Sequence, residues 1–167
     1  LAKRIAEEAD VVVVSSLFTG SLSADGYGGG SPLVDFQLRA DRMRAGQVNV
    51  VLAHGADPVY GLPGALQFGR AMKDKVSFIA SFSNFMDETT AMADVILPEP
   101  TYLETWGDDV PDPGPGYQTV TLQQPIVKPF AEADTRPFGD VLLTAAAKLG
   151  NDAVSKALPW RNMEDLL

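Results

Sequence analysis

The 167-residue chain contains no cysteine. That absence excludes disulfides, thiolate zinc sites, iron–sulfur ligation and a cysteine nucleophile, and it leaves the redox compartment open. Histidine occurs once, as His54. A metal site built on it would need further ligands that the sequence does not supply, so it reads as structural, and no nucleophile–base pair stands out. No catalytic residue and no metal ligand is assigned. Long apolar runs are absent too. The run Val11, Val12, Val13, Val14 is far below the roughly 20 residues that span a bilayer. No basic stretch precedes an apolar one at the start, so no secretory leader is read and no direct membrane insertion is expected. Bases are scarce beside acids, 13 against 22, for a net charge of −9. Residues 87–112 hold eight acids and no Lys or Arg. Such a surface repels nucleic acid and anionic membranes, and the acidic stretch reads as a solvated face.

What is present fits a globular domain: 46% hydrophobic and 21% charged residues, in a length suited to one core. The chain opens on Leu1 inside an apolar stripe of helical spacing over residues 1–9, which reads as part of a longer chain. Residues 10–15 and 48–53 are β-branched runs of the kind buried on both faces in parallel sheets. Residues 76–81 and 95–97 continue the series, the last closed by Pro98. Between them, residues 36–45 predict a helix ended by Gly46, and residues 62–73 a second, with Pro63 in its first turn. Asp87 is placed to cap a short helix over 88–93. Residues 140–149 predict a closing helix with Val141, Leu142, Ala145 and Leu149 inward and Gly150 as its stop, and residues 160–167 the start of another. Residues 117–123 alternate weakly, as an edge strand would.

Alternating strands and helices give the expected class: α/β, Rossmann-like and doubly wound, with a mainly parallel sheet of about four to five strands and flanking helices. Residues 1–167 read as a single α/β domain, with a Pro- and Gly-rich irregular excursion over 105–130. Ligands in such sheets sit beyond the carboxyl ends of the strands, which points to the turns after Val14, Ala53 and Ala80. The run Gly26, Tyr27, Gly28, Gly29, Gly30 resembles a phosphate loop only loosely, since it neither follows G-x-G-x-x-G nor carries G-K-[ST]. The acid pairs Asp87/Glu88 and Asp108/Asp109 read as capping or solvated turn residues.

Three strings go further. Gly55-Ala56-Asp57-Pro58 looks like a G-x-N-P turn. Asp87-Glu88-Thr89-Thr90-Ala91-Met92-Ala93-Asp94-Val95-Ile96-Leu97-Pro98 is similar to E-T-A-x-x-A-D-V-V-L-P, and Tyr102-Leu103-Glu104 matches the Y-L-E that follows it. Together they resemble the third domain of the molybdopterin oxidoreductase family, the dimethyl sulfoxide reductase superfamily. Gln124-Pro125-Ile126-Val127-Lys128-Pro129 and Asp134-Thr135-Arg136-Pro137 look like stretches of its polysulfide and thiosulfate reductase branch. The resemblance covers residues 46–167 well and 1–16 weakly.

In that family two Rossmann-like domains hold the guanosine ends of a molybdenum bis(molybdopterin guanine dinucleotide). The resemblance therefore implies that cofactor in the parent protein, with none tightly bound to this piece alone. It makes Ser15, Ser16, Gly55, Asp57, Pro58, Phe82, Ser83 and Thr105 the candidate cofactor-binding residues. Three of these positions depart from the family pattern. Asp57 stands for a nucleotide-contacting Asn, Phe82-Ser83 for a Ser-Asp pair, and Thr105 for a Lys. An anionic Asp57 accepts hydrogen bonds from a guanine edge or a ribose but repels phosphate. Residues 20–31 also stand where the family usually has an N-A-L-N-x-L-x-G segment.

The function implied is the guanosine-side, cofactor-holding domain of an oxidoreductase catalytic subunit that works on sulfur or arsenic oxyanions, inactive as a piece. Its implied partners are the other domains of the parent, a membrane anchor and an iron–sulfur electron-transfer subunit, at the periplasmic face of a cell envelope rather than in cytoplasm. One alternative is a cofactor-free scaffold subunit of a respiratory complex such as alternative complex III. A remoter one is the central domain of a thiamine diphosphate enzyme, which leaves Tyr102-Leu103-Glu104 unexplained.

Overall fold

The computed structural model describes residues 11–14, 32–109, 120–129 and 134–167. The chain divides into two compact units, Leu1–Leu97 and Pro98–Leu167.

In the first unit four strands form one parallel sheet in the order of the chain: β1 (Val11–Val14), β2 (Val50–Ala53), β3 (Phe78–Ser81) and β4 (Val95–Ile96). The α/β class is as expected, with the sheet at the smaller of the anticipated sizes. Helix α1 (Pro32–Arg44) crosses from β1 to β2, and α3 (Phe68–Lys75) leads into β3. The two helices pack on each other and on one face of the sheet. Val51 and Ile79 are register partners, so their side chains share a face. They are buried in one cluster with Ala40 and Met43 of α1 and Phe68, Ala71 and Met72 of α3. Phe36 meets Phe68 edge to face, ring centroids 5.8 Å apart. Among the described strands the order never reverses, and both of these helices cover the same face.

Gly46 closes α1 in the left-handed conformation, φ +71°, its N–H donating to the Met43 carbonyl at 2.9 Å. The helix expected over 62–73 is instead two pieces, a 3-10 turn at Gly64–Leu66 and α3, preceded by a separate short helix, α2 (Pro58–Gly61). The cause is local. Pro58 is preset for a first helical turn, so the helix starts earlier, and Pro63 has no N–H to continue it. Gln67, left-handed at φ +47°, then ends the 3-10 turn and opens α3. Strands β2, β3 and β4 are each shorter than the sequence runs that announced them.

In the second unit, β5 (Gly107–Asp109) and β6 (Thr121–Gln123) form a separate antiparallel pair. The alternating stretch over 117–123 thus pairs locally and is not an edge of the main sheet. Helix α4 (Phe138–Lys148) buries Leu142, Leu143 and Ala146. That is a correction to the expected inward set: Ala145 is exposed, and Leu149, the C-cap before left-handed Gly150, is 71% exposed. Helix α5 (Asp152–Ala157), which the sequence pattern does not announce, is capped by Asn151, and α6 (Met163–Leu166) by Asn162. Among the described residues no helix is long and apolar enough to cross a membrane.

Candidate functional site

The register aligns Val14, Ala53 and Ser81 at one edge of the sheet, so the segments after β2 and β3 leave side by side. This brings together Gly55, Asp57 and Pro58 from one strand end and Phe82 and Ser83 from the next. Ser15 and Ser16 lie outside the described residues. Thr105 belongs to the second unit, where its hydroxyl donates to the Trp106 carbonyl at 3.3 Å.

The turn after β2 is shaped by Gly55 at φ +60°, where a side chain would be strained. Asp57 then caps α2. Its Oδ1 accepts the Tyr60 N–H at 3.2 Å and the Thr89 hydroxyl at 2.6 Å. Thr89 Oγ1 in turn accepts the Val59 N–H at 3.2 Å, and the Gly61 N–H donates to the Asp57 carbonyl at 2.9 Å. Pro58 has no N–H. Every donor in the first turn of α2 is therefore answered by Asp57 or Thr89. Burial acts to raise the Asp57 pKa, but the hydrogen bonds from Thr89, Tyr60 and Glu88 outweigh it and hold the carboxyl below its ordinary value.

The turn after β3 is tied to the same motif. Phe82 continues the pairing by donating its N–H to the Ala53 carbonyl at 2.9 Å. Its side chain is only 2% exposed and is committed to the core rather than to a ligand. Ser81 Oγ accepts the Ser83 N–H at 3.2 Å and lies 2.7 Å from Thr90 Oγ1. Ser83 Oγ accepts the Phe85 N–H at 3.1 Å, which folds the loop back. Asp87 caps as expected, its Oδ1 accepting the Thr90 N–H at 2.6 Å, although the helix it starts is only the 3-10 turn Thr90–Met92. Asp94 Oδ2 accepts the Ile79 N–H at 2.8 Å and so anchors short β4 to β3.

Ser81, Thr89 and Thr90 are the buried polar side chains among the described residues. Their contacts explain why the acid–threonine string stands next to the strand: Thr89 holds the turn after β2, and Thr90 holds the end of β3. Sequence reasoning singled out Asp57 and the cap Asp87 but missed the contacts that Ser81, Thr89, Thr90 and Asp94 make. Two adjacent hydroxyls behind a capping acid were the available signal. His54, directly after β2, is half-buried. Among the described residues no group of three His, Asp or Glu side chains is arranged to hold a metal.

With parallel strands, same-face helices and turns gathered at the carboxyl edge, the first unit is a Rossmann-like α/β module. No family model matches the chain. It is 35% identical over 139 residues to the menaquinone reductase molybdopterin-binding-like subunit of Nitratidesulfovibrio vulgaris, a match covering 80% of this chain and 18% of that protein. It is 32% identical over 103 residues to a tetrathionate reductase subunit of Salmonella typhimurium, covering 58% of this chain and 10% of the relative. The thiosulfate reductase molybdopterin-containing subunit PhsA of the same organism is 30% identical over 91 residues, covering 54% and 11%. The chain therefore spans less than a fifth of the length of these relatives. The chain is thus homologous to part of such subunits, in keeping with the molybdopterin oxidoreductases and their polysulfide and thiosulfate branch.

Proposed function

We propose that the chain is the guanosine-side Rossmann-like domain of a molybdopterin oxidoreductase subunit. The parent would use a molybdenum–molybdopterin cofactor in its bis(guanine dinucleotide) form and act on a sulfur or arsenic oxyanion. The observation that carries this reading is the clamped pair of turns at the carboxyl edge, in a chain homologous to molybdopterin-binding subunits. The residues fit one end of such a cofactor and not the other. Asp57 is a half-buried acceptor suited to the N–H and O–H donors of a nucleoside. The same carboxylate, with the donors of α2 already used, is unsuited to a pyrophosphate. Gly55, Asp57, Pro58 and the backbone at Phe82 and Ser83 would then line the nucleoside. The family resemblance assigns Ser15, Ser16 and Thr105 to the same cofactor.

Under this reading the chain's own residues bind and orient, and the redox chemistry is supplied by the cofactor when bound. Other domains, a membrane anchor and an electron-transfer subunit would complete the assembly. The second unit suits coverage by neighbours. Leu103 accepts the N–H groups of Ile126 and Val127 at 2.9 and 3.2 Å, joining two segments that expose Tyr102, Ile126 and Val127. Exposed apolar side chains gathered in this way mark interaction surfaces.

A second reading is favoured by one observation each from sequence and geometry. The relative matched over 80% of this chain is named molybdopterin-binding-like, and the α2 turn is filled by the chain itself. Here the domain is a cofactor-free scaffold within an oxidoreductase complex. Purifying the full-length subunit, then measuring molybdenum and acid-released guanine nucleotide, decides between them. Stoichiometric amounts of both support the cofactor-holding domain, and absence of both from a folded subunit leaves the scaffold.

A further inference from the structure

The threonines of the motif have no role in the reading above beyond the fold, yet Thr89 contacts the candidate ligand residue Asp57 directly. Thr89 Oγ1 is shared. It donates to Asp57 Oδ1 at 2.6 Å and accepts the Val59 N–H at 3.2 Å, and Thr89 is fully buried. One hydroxyl thus fixes both the carboxylate and the backbone that follows it. Without that donor, Asp57 would retain the 3.2 Å bond from Tyr60 within its own turn and the bonds from Glu88. The neighbouring Thr90 performs the corresponding task at the other strand end through Ser81, whose Oγ also accepts the Ser83 N–H. Two consecutive hydroxyls therefore tie down the two turns that follow β2 and β3.

We infer that Thr89 is a positioning and specificity-determining residue: it locks Asp57 as a fixed internal anion at the turn after β2, so that this strand end takes an uncharged, donor-bearing ligand of the nucleoside class and rejects phosphate. The ligand class rests on the proposed nucleoside-side role, whereas the locking rests on the contacts alone. A carboxylate offers about four acceptor positions, so an oriented Asp57 can still receive donors from a ligand. A phosphate at the same place would meet a like charge and no unclaimed N–H in the first turn of α2.

The test uses the full chain as wild type and as Thr89→Val, Thr89→Ser and Asp57→Asn, followed by NMR. Two probes are added separately, guanosine and inorganic pyrophosphate, and the Asp57 carboxyl is titrated in each protein that retains it. In wild type and Thr89→Ser, guanosine is expected to shift the amides of Gly55, Asp57, Val59 and Ser83, and pyrophosphate to leave them in place. In Thr89→Val the Asp57 titration is expected to move upward and the guanosine response to weaken several-fold. In Asp57→Asn, which removes the charge and keeps an oxygen acceptor, the guanosine response is expected to persist and pyrophosphate to begin shifting the same amides, while the core amides stay unchanged. Thr89→Ser guards against misfolding, because it keeps the hydroxyl and removes only a methyl. The inference is overturned if pyrophosphate shifts the same wild-type amides as strongly as guanosine does, or if a folded Thr89→Val protein keeps the wild-type Asp57 titration. If guanosine shifts nothing in wild type but Thr89→Val still raises the Asp57 titration, the positioning role stands and the nucleoside-side role falls.

Discussion

Thr89 donates its hydroxyl to Asp57 across 32 residues of sequence, at 2.6 Å, and this contact joins the two strings that identify the chain. The glycine–proline turn after β2 and the acid–threonine string before β4 are distant in sequence and bonded in space. Removing the hydroxyl while keeping the shape isolates the contact. Thr89→Val is expected to lower the unfolding free energy by about 1 to 2 kcal/mol, the range for a hydrogen bond to a charged group, discounted for the partial exposure of Asp57. Thr89→Ser should retain most of it. Urea unfolding of the three proteins checks this, and equal midpoints for Val and wild type would remove the contact from the energetics.

The same carboxylate gives a dependence on pH. The folded Asp57 pKa lies below the ordinary value of 3.8, with burial opposing and the bonds from Thr89, Tyr60 and Glu88 prevailing. A depressed folded pKa means that the unfolded state binds the proton first as pH falls. The stabilisation is therefore complete above the ordinary value and is lost as pH drops through the lowered one. Asp57→Asn should thus melt at a lower temperature than wild type near neutral pH, with the gap closing as the pH falls through the lowered carboxyl value. A gap that stays constant over that range would show that ionised Asp57 contributes nothing.

Much of this was legible beforehand. Val11–Val14, Val50–Ala53 and Phe78–Ser81 lie within β-branched or apolar runs, and their pairing in a parallel sheet follows from that pattern. Gly46 and Asp87 announced a helix stop and a cap, and both serve as such. The broken helix after Asp57 was not legible, because periodicity over residues 62–73 masks the effect of Pro63 and of left-handed Gln67. The α4 face was misplaced because Leu149 continues the apolar spacing but falls on the cap. The hydroxyl set at Ser81, Thr89 and Thr90 depends on tertiary pairing, which spacing in one chain does not report.

The buried pair Ser81–Thr90 predicts strong coupling. Either hydroxyl loses its 2.7 Å partner when the other is removed, and both side chains are essentially unexposed. Ser81→Ala and Thr90→Val should each cost about 1 to 3 kcal/mol, since each leaves a buried polar group with fewer partners. The double variant should cost less than the two together, by about 1 kcal/mol. Additive effects in the double-mutant cycle would show that the two hydroxyls act independently.

Met72 tests the packing beneath the site. It is fully buried on α3 in the cluster that joins α1 to Val51 and Ile79. Met72→Ala removes a side chain that the surrounding sheet and helices cannot fully replace, and a loss of about 2 to 5 kcal/mol is expected. Because the cavity lies under β2 and β3, hydrogen exchange should quicken at Val51 and Ile79. An effect confined to α3 would show that the helix frays without loosening the sheet.

The end of the second unit gives a local prediction. Asp140 Oδ1 accepts the Met163 N–H at 2.7 Å, so the first turn of α4 caps the start of α6. Gly139 permits this approach: a Cβ there would lie 2.3 Å from Met163 Sδ and 2.5 Å from its Cγ. Helix α6 has only four residues and cannot hold itself, so its order depends on this contact and on the Asn162 cap. Asp140→Ala should speed exchange at Asp165 and Leu166, at a cost of about 1 kcal/mol as for a lost cap. The amides of β2 and β3 should keep their wild-type protection. Quickened exchange throughout the sheet would instead show that Asp140 supports the stability of the whole chain and not the docking of its last helix.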